Sequence, residues 1–103
     1  MSQRLETLKS LAAQDPTNIR IQYMLAMELA ATGDVDGAVA QFRSIIERDP
    51  GYVTAYFQEG QTFEKAGRTE EAREAYRRGI AAAARAGDRH AETEMQAALD
   101  LLG

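Results

Sequence analysis

Apolar positions recur along the chain at three- and four-residue intervals: Leu5, Leu8, Leu11 and Ala12; Leu25, Ala26 and Leu29; Phe42, Ile45 and Ile46; Tyr56, Gly60 and Phe63; Ala72, Tyr76 and Ile80. Each set lines one face of an amphipathic helix, because 3.6 residues make a turn. No segment alternates with period two, so no strand is expected. The punctuation divides the pattern into six helices at about 2–14, 17–32, 35–48, 51–66, 69–86 and 88–102. Asp15-Pro16 and Asp49-Pro50 read as N-caps followed by proline at the first helical position. Gly33, Gly67 and Gly87 suit the left-handed residue that closes a helix. Asp34, Thr69 and Asp88 then cap the helices that follow.

The punctuation and the stripes share one period. Pro16 and Pro50 stand 34 residues apart, as do Gly33 and Gly67, Ala38 and Ala72, Phe42 and Tyr76, Ala26 and Gly60, Leu29 and Phe63, and Ile46 and Ile80. Agreement of this many pairs at one offset indicates a tandem helix–turn–helix repeat. Ala26, Gly60, Ala38 and Ala72 let helix backbones approach closely, while Phe42, Phe63 and Tyr76 fill the gaps between hairpins. One hairpin is too thin to bury its own apolar face, so stability comes from neighbour interfaces.

On these residues segments 19–52 and 53–86 resemble tetratricopeptide repeats. The family pattern falls on Tyr56, Glu59-Gly60, Phe63, Gly67, Ala72, Tyr76, Gly79 and Ala84 in the second unit. In the first it falls on Gln22, Leu25-Ala26, Leu29, Gly33, Ala38, Phe42, Ile45 and Pro50. The departures are Gln22 in place of a large aromatic, Glu59 in place of Leu, and Ala84 in place of the second proline. Without that proline the fifth helix is expected to run longer than the third. Residues 1–15 resemble the second helix of a preceding unit, and 87–102 a solvating cap helix. The fold class expected is all-α, a right-handed α-solenoid of antiparallel helix pairs in one domain.

Helical geometry also shows which surface is left over. In helix 17–32 the face opposite Gln22, Leu25, Ala26 and Leu29 carries Arg20, Tyr23, Met24, Met27, Ala30 and Ala31, too apolar for plain solvent. The corresponding face of helix 51–66 is Thr54, Phe57, Gln58, Gln61, Glu64 and Lys65; on the cap helix it is Asp88, Ala91, Glu92, Met95 and Leu99. The resemblance implies that these faces line the concave side. The expected groove has an apolar floor of Tyr23, Met24, Met27 and Phe57, with Gln58, Gln61 and Thr54 in contact with ligand. Arg20 and Lys65 would steer polar ends, and Met95 and Leu99 would line the far side. Such a surface suits a protein partner presenting an amphipathic helix or apolar peptide. The alternative is a homodimer or larger assembly through the same surface or through helix 2–14. A carboxylate clamp for chaperone C-termini is not expected: its Lys and Asn places hold Tyr23 and Met27, its second Asn place holds Gln58, and its last cationic places hold Asp88 and Glu92.

Composition narrows the chemistry. Twelve basic against 16 acidic residues leave a formal net charge of −4, with no basic block to grip phosphates, so nucleic acid is not an expected partner. Zero cysteines exclude disulfides, thiol catalysis and cysteine-based zinc sites. No stretch approaches the roughly 18 apolar residues of a membrane span, and the polar start shows no secretory signal, so a cytoplasmic location is expected. Ten Arg to two Lys with abundant Ala point to a GC-rich bacterial source. The single histidine, His90, has Glu94 and Glu92 nearby but no third ligand for a metal. Ser2, Ser10 and Ser44 have no triad partners, and no cofactor motif is present, so a non-enzyme is expected. Glu59 falls on a packing face and needs a partner, for which Arg73 is the candidate. Arg73, Arg77 and Arg78 otherwise read as a solvated convex face.

Overall fold

The computed structural model describes residues 3–103, and these form six α-helices: α1 Gln3–Gln14, α2 Ile19–Ala31, α3 Val35–Arg48, α4 Val53–Lys65, α5 Thr69–Ala86 and α6 Arg89–Leu102. The expected start of the first helix at Ser2 lies outside the described residues. Consecutive helices pack on one another, and α4 also touches both α2 and α6. The first helix of each pair therefore stacks against its counterpart. The architecture is an all-α helical repeat, with no strand among the described residues.

The helix ends correct some expectations and bear out others. Neither Asp15 nor Asp49 is an N-cap. The amide of Asn18 donates to the Asp15 carbonyl at 3.2 Å and that of Tyr52 to the Asp49 carbonyl at 3.0 Å. Pro16 and Pro50 thus occupy the second position of four-residue turns, where a fixed φ is favoured. The helices start two residues later than expected, α2 with the Asn18 side chain accepting from the Ile21 amide at 3.2 Å. Tyr52 caps α4 without a side-chain bond, and Thr69 is the first residue of α5 rather than its cap. Asp34 and Asp88 do cap α3 and α6, accepting from the amides of Gly37 and Ala91. Gly33, Gly67 and Gly87 all take positive φ, between 71° and 90°. As expected, α5 at 18 residues outruns α3 at 14.

Two apolar clusters hold the layers together. One joins Leu8, Leu25, Leu29, Phe42 and Ile45; the other joins Tyr56, Phe63, Tyr76, Ala83 and Met95. Phe42 and Tyr76, one period apart, are both fully buried. The small residues between them act as the spacing implied: a Cβ on Gly60 would overlap the Tyr76 ring.

Glu59 is the polar exception. Its side chain is fully buried on α4, and Arg73 is not its partner: Oε2 receives Arg78 from α5 at 3.1 Å and Arg43 from α3 at 3.5 Å. Arg73 instead pairs with Glu70 and donates to the carbonyls of Leu102 and Gly103. The other carboxylate oxygen, Oε1, is buried without a hydrogen bond. Burial pushes the Glu59 carboxyl above its ordinary value, against the pull of Arg43 and Arg78. The folded state therefore holds this proton more tightly than the unfolded chain. The stabilisation that follows is complete below the ordinary carboxylate range and is lost as pH rises through the raised value. Glu59→Leu, with both arginines half exposed and free to turn to water, is expected to exceed the wild type in stability by about 1 kcal/mol or more at pH 8. That advantage should shrink as pH falls to 4. Urea unfolding of both proteins across this range checks the sign; an advantage that grows towards acid contradicts it.

Candidate functional site

A cleft opens on the side where the first helices of each pair stack. Its volume is about 500 Å³, and it is lined from α2 by Met27, Ala30 and Ala31, from the following turn by Gly33, from the start of α3 by Val35, and from α4 and its C-cap by Gln58, Gln61, Thr62, Lys65 and Ala66. The α2 side and Val35 give it an apolar floor, and α4 gives it a polar wall. Met27 keeps 37 % of its surface exposed there. Gln58, Gln61 and Lys65 project together because steps of three and four residues return to the same helix face. Gly33, Val35, Thr62 and Ala66 were not expected from helical faces. Gly33 comes from the α2–α3 connection and Val35 from the first turn of α3, neither of which lies on the helix faces considered.

Behind the wall, α4 is held by polar and aromatic contacts. The Gln61 amide donates to the Tyr76 hydroxyl at 2.7 Å, and that hydroxyl donates to Glu64 Oε1 at 2.8 Å. Burial first, then the bond to Glu64, pushes the Tyr76 phenol well above its ordinary range, so it stays protonated and keeps donating. The Phe57 ring lies against Tyr76 with centroids 6.1 Å apart. Tyr23 packs edge-on to Phe42 at 6.0 Å and tilted on Tyr52 at 5.9 Å. Burial and Tyr52 raise the Tyr23 phenol, partly offset by a side-chain hydrogen bond with Gln58 across the α2–α4 interface.

The expected groove residues thus divide. Met27, Gln58, Gln61 and Lys65 meet in the cleft. Tyr23 and Phe57 do not line it; both are half buried, and their rings fasten neighbouring helices. Met24 opens instead on the α1 side, where it borders a second, shallower depression with Gln3, Arg4, Thr7, Leu8 and Leu11. Thr54 stands apart beside Gly51, Ala86 and Asp88, and Arg20 is exposed away from the cleft. Leu99 packs half buried against the second cluster.

Met95 is a correction. It is fully buried, because Gly79 leaves a hole that its thioether enters. One period earlier Ile45 occupies the place of Gly79 and is itself buried. The helix facing it there, α4, carries at the position of Met95 the half-buried Gln61, which lines the cleft. The shared register of Met27, Gln61 and Met95 misled, since the side chain opposite decides which of them turns inward.

His90 lies exposed on α6 with Nε2 3.6 Å from Glu94, an ordinary helix-surface pair. No group of three or more His, Asp or Glu that could hold a metal gathers among the described residues. No helix among them is long and apolar enough to cross a membrane.

Known proteins share this arrangement. The tetratricopeptide repeat profile matches residues 23–89. A TPR repeat-containing protein of Pseudomonas aeruginosa is 31 % identical over 91 residues, covering 88 % of this chain and 87 % of that protein. A solution structure from Bordetella parapertussis superposes with a TM-score of 0.82 at 30 % identity, covering 99 % of this chain and 89 % of that one. A tetratricopeptide repeat domain protein from Salinibacter ruber gives 0.77 at 32 % identity, covering 85 % and 89 %. The chain belongs to the tetratricopeptide repeat family, whose domains generally mediate protein–protein interaction without catalysis.

Proposed function

We propose that this chain is a non-catalytic interaction module that seats a short segment of a partner protein in the cleft between α2 and α4. The observation that carries this reading is the cleft itself: about 500 Å³, with an apolar floor facing a polar wall on two rigid helices. Apolar side chains of a ligand would bury against Met27, Ala30 and Ala31, and its backbone would meet the amides of Gln58 and Gln61. Met27 contributes an unbranched, polarizable chain that adapts to the shape presented.

The test follows from which residues are free to change. Glutamate at Tyr23 or Phe57 would break ring contacts inside the fold, so those substitutions confuse binding with stability. Met27 is exposed, and Met27→Glu is expected to leave the melting curve within a few degrees of the wild type. The same variant is expected to weaken partner capture at least tenfold, as a charge placed on a desolvated apolar contact should. Quantitative pull-down with equal amounts of folded bait reads this. Identical prey recovery by both baits removes the cleft from the function.

A second reading has its own observation. Leu11 and Met24, 40 % and 39 % exposed, sit together at the α1–α2 depression. Self-association through this edge predicts a mass that rises with concentration in light scattering and falls back to monomer in Leu11→Lys/Met24→Lys. A constant monomer mass in the wild type excludes it.

A further inference from the structure

Resting on the cleft reading above, we infer that the cleft selects an internal peptide segment in which an aliphatic side chain is followed directly by an acidic one. Three features of the cleft converge on this choice. The floor is built from Met27, Ala30, Ala31 and Val35, with no aromatic ring to stack on a planar group. It matches a branched aliphatic chain, which gains simply by leaving water.

The second feature is the orientation of Gln61. A phenol has one proton, and Tyr76 gives its own to the Glu64 carboxylate at 2.8 Å. The Tyr76 oxygen can then only accept from Gln61, so the Gln61 nitrogen is turned inward at 2.7 Å. This network settles the amide's direction, which atom positions alone do not. Gln61 Oε1 is left as an acceptor at the cleft wall, suited to a peptide N–H.

The third feature is charge. Among the described residues Lys65 is the only charged one lining the cleft, and its ammonium has no ion-pair or hydrogen-bond partner there. Its neighbour Glu64 keeps its charge but does not line the cleft, its carboxylate turned to the Tyr76 hydroxyl. The cleft therefore presents an unpaired cation. A lysine or arginine beside the aliphatic anchor would meet it as a like charge, whereas Asp or Glu would pair with it. Gln61 and Lys65 lie one helical turn apart on α4, roughly 6 Å between their Cβ atoms. The long, flexible Lys65 chain can bring its ammonium to the carboxylate of an acidic residue whose own amide meets Gln61 Oε1. One residue can therefore use both groups, with the aliphatic side chain before it directed to the floor.

Immobilised pools of degenerate hexapeptides, acetylated and amidated so that no terminal charge competes, test this directly. Leucine is fixed at the third position and Glu, Gln or Lys at the fourth, and the pools are probed with labelled wild type, Lys65→Glu and Met27→Glu. The wild type is expected to be retained about fivefold more by Leu-Glu pools than by Leu-Lys pools, the scale of one exposed ion pair at low salt. Lys65→Glu is expected to reverse that order, and Met27→Glu to lower retention on every pool. Equal retention on Leu-Glu and Leu-Lys pools, still lost in Met27→Glu, overturns the acidic selectivity and leaves the cleft as the binding surface. Retention that ignores Met27→Glu, or none above background on any pool, removes the cleft reading and this inference with it.

Discussion

Tyr76→Ala is expected to lower the stability of the domain by about 4 kcal/mol, the usual scale for deleting a buried aromatic ring. Tyr76 has no exposed surface and is the largest of the fully buried side chains. Its ring fills the space that Gly60 leaves on α4 and lies against Phe57. Its hydroxyl ties Gln61 and Glu64 to α5. A repeat array this short has little redundancy, because each hairpin depends on the interface with its neighbour. Against a total of about 5–15 kcal/mol, such a loss brings the protein close to unfolding at ambient temperature. The thermal midpoint followed by circular dichroism should fall by roughly 20 °C. Tyr76→Phe separates the two contributions. It keeps the ring and returns two partly exposed partners to water, so it should cost only about 1 kcal/mol. A Tyr76→Ala loss below about 2 kcal/mol would mean that the second cluster does not depend on this ring.

Much of this organisation was readable before any coordinates, because the fold is periodic and periodicity is a property of the sequence. Matches such as Gly33 with Gly67 and Phe42 with Tyr76 require the same local structure twice, and the positive φ of both glycines and the burial of both rings agree. What periodicity does not carry is the outcome of contacts between unlike repeats. Met95 turned inward because Gly79 is not Ile45, a difference between two supposedly equivalent positions. Glu59 found Arg43 and Arg78 rather than Arg73, because α4 lies between α3 and α5 and the carboxylate draws on both. The proline turns were misplaced for a local reason: Pro at the first helical position and Pro in the preceding turn look alike in sequence. Only the Asn18 and Tyr52 amide bonds distinguish them. At the site, helical faces found the α4 wall and Met27. They could not tell a Tyr or Phe that opens to a ligand from one that fastens the next helix.

Gly79 is where this dependence on the opposite side chain can be measured. A methyl group at position 79 would overlap the Met95 sulfur and stand 2.8 Å from the Tyr56 Cβ. The sulfur sits on a flexible chain, but the Tyr56 Cβ is fixed to the α4 backbone, so relief requires α4 and α5 to separate. Alanine gains about 1 kcal/mol over glycine in a helix interior. Overpacking a close contact costs about 1–3 kcal/mol or more, and with two neighbours affected the net change for Gly79→Ala is expected to be a loss of about 2 kcal/mol. Met95→Ala alone should cost at least about 2 kcal/mol by emptying the same hole. In Gly79→Ala/Met95→Ala the new methyl partly fills what the thioether vacates. The double variant should therefore cost less than the sum of the singles by about 1 kcal/mol or more, a coupling that urea unfolding of the four proteins resolves. Additive losses would show that Met95 does not occupy the space above Gly79, and would reopen the cleft side of α6 to it.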